Sequence, residues 1–279
     1  MTFTQRIAIF TSDGGVFVNE DHIVKQRVQK QFSKAAQEYV VSEIHSKEDD
    51  LIRLVEWLSP QPHWTVLDVA TGAGHTAKAL SPHVNTVIAV DLTKTMLETA
   101  RTFLRDGGCK NVEYVLADAE SLPFLDATFD AVTCRIAAHH FPHPETFIQE
   151  TVRVLKPGGS FLFIDNIAPA DEKLADFMNT FERLRDPSHV RCLSMSEWES
   201  WMTPAGLVIK NSQTRHKQYQ FPKWVRRMAQ SEQQINVVEN YILSAALPVQ
   251  GYFGVTVLGG HVQSLHVDEW MTLCKKTER

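Results

Sequence analysis

The 279-residue sequence predicts an α/β fold, a doubly wound and mostly parallel sheet covered by helices and built as one domain. Three observations predict it. Short apolar, β-branched runs alternate with helical segments between Thr65 and Ile164. The first run leads into a glycine turn, Thr71-Gly72-Ala73-Gly74, that opens a helix. Four acids, Asp68, Asp91, Asp118 and Asp165, stand at or just after the ends of the first, second, third and fifth runs.

The first 22 residues have no clear period. From Val24 the pattern turns helical, with Val24, Val28, Phe32, Ala35, Tyr39 and Val40 on one face. A second helix is expected from Lys47 to Leu58, ended by Ser59-Pro60. Strands are expected at Thr65–Val69, Thr86–Val90, Val112–Leu116, Ala131–Cys134 and Phe161–Ile164. Helices are expected between most of them, at His75–Leu80, Lys94–Arg105 and Glu145–Leu155. Such alternation means parallel strands joined by right-handed crossovers. Further on come helices near 171–185 and 195–204, a strand at Leu207–Ser212, a helical stretch over 222–247 interrupted by Pro248, and a last strand at Leu265–Leu273. The organisation is thus a helical cap (24–58), a core (64–212), a helical lid over the sheet's carboxyl edge (222–250) and a last strand (265–273), in a single domain of 1–279.

Composition excludes several classes. A net charge of −5 with no basic block argues against a nucleic-acid partner. No apolar run approaches a membrane span, and none near the start is long enough for a signal peptide, so a cytoplasmic protein is expected. The four cysteines form no Cys-x-x-Cys pair, and no metal site is expected.

Gly72-x-Gly74-x-x-Ala77 satisfies a dinucleotide-binding pattern, which alone is weak. The acids choose the ligand. In an open parallel sheet the carboxyl ends of the strands form the binding edge, so the four carboxylates converge there. Asp68 would repel a pyrophosphate in such a place. S-adenosylmethionine brings a sulfonium, an ammonium, a ribose diol and an adenine amino group, all able to use carboxylate acceptors. Asp68 would hold the ammonium, Asp91 the ribose hydroxyls, and Asp118-Ala119 the adenine amino group. Ala70, Thr71, Gly72, Ala73 and Gly74 would form the turn against the methionine part, with Leu92 beside Asp91. Each Asp taken singly reads as a helix cap or turn residue; the set at four strand ends reads as a site.

The segments VLDVATGAGH, VIAVDLT, ADAESLPF, FDAV and RVLKPGG occur in the order and at about the spacings of class I methyltransferases. The chain resembles that Rossmann-like family, and within it the ubiquinone/menaquinone-biosynthesis C-methyltransferases and related bacterial small-molecule enzymes. QFSKAAQEYV, TCRIAAHHFP, IDNIAP and RDPSHV resemble a narrower bacterial set. The resemblance implies a seven-stranded sheet with an antiparallel last strand, and a cofactor contact at Arg135 besides those above. The insertion at 222–250 departs from the quinone enzymes and argues against quinone precursors as substrates.

Methyl transfer to oxygen or carbon needs a base. His139 and His140 on the loop after the fourth strand are candidates, with His143 nearby; Asp165 is the second choice. Tyr39, Trp198, Phe221 and Trp224 are candidates for an apolar substrate pocket, although core packing is their plainer reading. Three functions stand at this point: methyl transfer to a small molecule, S-adenosylmethionine binding without catalysis, and nicotinamide-dependent oxidoreduction. A homodimer is compatible with all three.

Overall fold

A computed structural model describes the backbone of residues 20–40 and 48–278, and the side chains of these except 35–40 and 48–49. The chain begins with two helices, α1 (Glu20–Val40) and α2 (Glu48–Leu58). The core follows as β1 (Thr65–Val69), α3 (His75–Leu80), β2 (Thr86–Asp91), α4 (Lys94–Asp106), β3 (Val112–Leu116), β4 (Phe129–Arg135), α5 (Pro144–Val154) and β5 (Leu155–Ile167). Then come α6 (Glu172–Arg185), α7 (Met195–Met202), β6 (Leu207–Gln220), α8 (Phe221–Arg226), α9 (Glu232–Leu243), α10 (Leu247–Tyr252), β7 (Thr256–Leu258) and β8 (His261–Lys276).

The main sheet runs β3-β2-β1-β4-β5-β8-β6, and the short β7 pairs with β8. Pairs β1–β2, β1–β4, β2–β3 and β4–β5 are parallel, while β8 is antiparallel to β5, β6 and β7. The expected seven strands and antiparallel last strand are therefore present, with β7 added. The chain winds outward from β1 to β3, then returns to β4 on the other side of β1. That reversal opens a crevice between the carboxyl ends of β1 and β4, where a doubly wound sheet binds its ligand.

Two departures from expectation concern the late strands. β6 and β8 are 14 and 16 residues long, about twice the expected lengths. β5 ends at Ile167 opposite Asp268, but β6 and β8 stay paired as far as Gln220 and Ser264, beyond the sheet's carboxyl edge. The strand pattern is hidden because residues 208 and 210–214 are exposed and polar or mixed, with no alternation. The stretch from 222 also breaks into three helices, because Pro222 and Pro248 each sit in a first turn and Ser231 caps a fresh start at α9.

Apolar burial falls in three groups. Two flank the sheet, and one of these holds Phe129, Phe147, Phe161, Phe163, Trp198 and Trp270. The third lies between α6, α8, α9 and the overhanging ends of β6 and β8, around Phe181, Trp224 and Phe253. Among the described residues no helix is long and apolar enough to cross a membrane.

Candidate active site

A cavity with about 1000 Å³ of empty space, its open mouth included, lies at the crevice between β1 and β4. Its floor is made by the strand ends: Asp68 and Ala70–Ala73 after β1, Val90–Thr93 after β2, Ala117–Glu120 after β3 and Arg135–Ala137 after β4. Its roof is α1, through Lys25, Val28 and Phe32, and His140, Phe141 and Pro142 close one side.

The acids sit where the strand ends put them. Asp68, 1% exposed, accepts hydrogen bonds from Thr71 Oγ1 (2.6 Å) and Thr133 Oγ1 (2.8 Å). Asp91 accepts from the backbone N–H of Gly72 (2.9 Å) and of Thr93 (2.8 Å), one on each oxygen. An ionised carboxylate has about four acceptor positions, so both acids keep capacity for a ligand. Burial pushes both up to about 6, against the pull of these donors. Asp118 accepts from Lys25 Nζ (2.7 Å) and from the Glu120 N–H (3.0 Å). Lys25 also reaches Glu120, and these carboxylates outweigh burial to hold its pKa above the ordinary lysine value. Helix α1 is thereby pegged to the loop after β3.

The turn carries unusual backbone. Ala70 (φ 53°) and Ile136 (φ 55°) stand in left-handed conformation just past the ends of β1 and β4. For a β-branched residue that is strained, and such strain concentrates where backbone is shaped around a ligand. Gly72 (φ 55°) faces the cavity, and a methyl added there would meet no protein atom within 4 Å. Gly74 differs: it is off the cavity wall, and a methyl there would lie 2.9 Å from Leu104 Cδ1. Its role is close packing of α3 on α4, a correction to its expected cofactor contact.

The expected bases separate. The turn at Ala138–His140 aims consecutive rings differently. His139 faces inward: its Nδ1 lies 2.6 Å from Asp165 Oδ1, and its N–H donates to Asp165 Oδ2. Asp165 also accepts from the Asn166 N–H and is 1% exposed. Neither lines the cavity, so both are corrected as bases reaching a substrate; Asp165 is instead the partner of His139. Burial opposes charge on His139, but Asp165 outweighs it and holds its pKa up. His140 lines the cavity, its Nδ1 2.9 Å from the Ser188 carbonyl. Burial, then the neighbouring His139, push it down to about 4.

Ala70, Thr71, Gly72, Ala73, Leu92, Ala119 and Arg135 all line the cavity. The side chain of Arg135 runs back toward Asp50, at 3.8 Å, in a buried network with Arg215, Lys217 and Glu269. The aromatic pocket expectation is corrected. Trp198 packs on Phe163 in the sheet core, and Phe221 and Trp224 pack in the core under the insertion, because all three are large apolar rings on helix faces that meet other elements. The side chain of Tyr39 lies outside the described residues. Sequence reasoning missed Lys25, His75, Thr76, Glu120 and Phe141 on the wall; only Val28 and Phe32 carried a signal, the apolar face of α1.

A methyltransferase-domain family model matches residues 67–163. The uncharacterized methyltransferase YcgJ of Bacillus subtilis is 42% identical over 196 residues, covering 70% of this chain and 78% of that protein. The chain belongs to the class I S-adenosylmethionine-dependent methyltransferases. The crystal structure of YcgJ superposes with a TM-score of 0.79 at 36% identity, covering 82% of this chain and 98% of that one. The ubiquinone/menaquinone-biosynthesis methyltransferase UbiE of Brucella anthropi is 40% identical over 118 residues, which cover 40% of this chain and 45% of that protein. The match to UbiE thus spans less than half of either protein. The oxidoreductase reading falls with this assignment, as the buried Asp68 had argued.

Proposed function

We propose that this methyltransferase holds S-adenosylmethionine along the β1–β2–β3 side of the cavity and transfers its methyl to an acidic oxygen or carbon of a small, largely apolar acceptor. One observation carries the reading: Asp68, Asp91 and Asp118 stand in order along one wall, and His140 stands in the same cavity on the β4 side. The residues fit the group. Asp68 offers a carboxylate to the ammonium, Asp91 to the ribose hydroxyls, and the open space at Gly72 admits the backbone's close approach. Asp118 and Ala119 stand at the adenine end, and Arg135 and Ala137 border the methionine end. Bound there, the cofactor would supply a sulfonium methyl able to pass in line to a nucleophile, with the C–S electron pair leaving on the thioether of S-adenosylhomocysteine.

The chain contributes three things. Phe32, Val28, Phe141 and Ile136 exclude water and orient an apolar acceptor. The strand-end acids fix the donor. His140 takes the acceptor's proton at Nε2, since Nδ1 is occupied by Ser188. Burial keeps His140 neutral through the physiological range, so Nε2 holds its lone pair at pH 7.

The test is methyl transfer from labelled S-adenosylmethionine against a metabolite library, repeated with His140→Ala on any acceptor found. Turnover of the variant at saturating donor should fall by about 10²- to 10⁴-fold while donor affinity holds. Normal turnover in His140→Ala would remove His140 from the reaction and leave transfer by proximity alone.

A further inference from the structure

We propose that the 186–191 loop is a positioning element for methyl transfer: it fixes His140 as the Nδ1–H tautomer and so leaves Nε2 as the nitrogen able to take a proton. The proposal rests on the reading of His140 as base. Its geometry is independent of that reading.

The constraint begins with chemistry. The Ser188 carbonyl, 2.9 Å from His140 Nδ1, has no proton to give, and the Ser188 Oγ, 3.4 Å from the same nitrogen, gives its proton to Asp186, so Nδ1 must carry one. A neutral imidazole has a single N–H, hence Nε2 is bare. An Nε2–H ring would present a donor to the nucleophile and could not accept its proton.

The carbonyl is itself held. The Ser188 N–H (2.9 Å) and Oγ–H (2.6 Å) both donate to Asp186 Oδ1. Asp186, 1% exposed, is tied to α6 through its N–H on the Glu182 carbonyl. The far end of the loop is tied to the histidine pair: the Val190 and Arg191 N–H groups both donate to the His139 carbonyl, at 3.0 and 3.1 Å. The loop thus grips His139 by its backbone and His140 by its ring.

The ring between these ties is fixed too. Asn179 Nδ2 donates to the Ala175 and Cys192 carbonyls, which leaves Asn179 Oδ1 as an acceptor. His189 Nε2, 2.9 Å from that oxygen, is therefore the protonated nitrogen of His189. With His139 Nδ1 on Asp165, three buried rings within 6.4 Å of one another each have one nitrogen assigned by a fixed partner. Turning the His140 tautomer over would leave the Ser188 carbonyl facing a lone pair, a bias of about tenfold or more toward Nδ1–H.

The test is two-bond proton–nitrogen NMR on the full-length, ¹⁵N-histidine-labelled protein at pH 7 with saturating S-adenosylhomocysteine, His140 being assigned by its absence in His140→Gln. The wild type should give a protonated Nδ1 and a bare Nε2. Asp186→Ala removes the acceptor of both Ser188 donors and should bring the tautomer ratio from about ten to one toward parity. Asp186→Asn keeps an Oδ1 in place and should restore the wild-type signals. An Nε2–H tautomer in the wild type, or unmixed Nδ1–H in Asp186→Ala, overturns the proposal. Should Asp186→Ala fail to fold, Ser188→Ala, which loses the Oγ tie and keeps the N–H tie, should move the ratio part of the way toward parity, and Ser188→Thr should restore it; an unmoved ratio in Ser188→Ala overturns the proposal. Full turnover by His140→Gln with the tautomer as proposed would sink the base reading alone.

Discussion

Asp68 is the residue proposed to meet the cofactor's ammonium, and its burial makes that contact depend on pH. Burial raises Asp68 and Asp91 to about 6 from the ordinary aspartate value of 3.8. In the empty folded protein both bind protons more tightly than in the unfolded chain. Their contribution to stability is therefore present at low pH and lost as pH rises from about 4 through 6, by at most about 3 kcal/mol per group. A bound ammonium reverses the preference, because it favours the ionised acid. S-adenosylhomocysteine affinity, which needs no methyl acceptor to measure, should thus rise between pH 5 and 7, at up to about tenfold per unit for each group, and then level off. Asp68→Asn, which keeps the shape, should bind more weakly at pH 7.5 and show a shallower rise. Calorimetric titration across this range checks both; a flat profile in the wild type would remove the ammonium role from Asp68. The position of Asp68 was legible only as one of a set, since a single acid after a strand reads as a cap or turn residue and four at strand ends read as a site. The division between His139 and His140 was not, because which of two adjacent rings faces a cavity depends on a turn and on partners 26 and 48 residues away.

The turn from β1 into α3 shows how two glycines of one motif do different work. Gly72→Ala would meet empty space on the protein side but place a methyl in the cavity, at a left-handed backbone position that costs about 1–2 kcal/mol. Gly74→Ala would drive a methyl against Leu104 and Ala100 at φ 89°. Overpacking adds about 1–3 kcal/mol to the same backbone cost. In parallel denaturant titrations, Gly74→Ala should therefore lose the more stability. Gly72→Ala should lose the more affinity for S-adenosylhomocysteine. Equal effects on both measurements would mean the two positions share one role. The motif was readable as a pattern, but its division of labour needed α4, whose packing on α3 no local signal encodes. The core strands were legible for the converse reason. β1, β2, β4 and β5 are buried on both faces and so read as unbroken apolar runs. The first half of β6, past Leu207, is largely exposed on both faces and carries no period.

At the scale of the whole molecule, the overhang of β6 and β8 turns the insertion into a second packed body. Its core draws on α6, α8, α9 and the start of β8, whereas the later part of β8 belongs to the sheet through Trp270 and Cys274. This body also reaches the cavity roof: Gln31 on α1 donates to the Met228 carbonyl and accepts from Gln230. Trp224 is at its centre. It packs against Phe181, Tyr219 and Phe221, with the Arg185 guanidinium 4.3 Å above its ring. Truncating a buried tryptophan costs about 3–5 kcal/mol, because the surroundings close the gap only in part. The loss should be local, since Trp224 lies in the insertion's core while β1 and β4 are held by the sheet's own cores. Hydrogen exchange on Trp224→Ala should accelerate together in α6, α8 and α9, with β1 and β4 near their wild-type protection. Uniform acceleration across the sheet would show instead that the insertion and the sheet unfold as one cooperative unit, with β8 as the coupling strand.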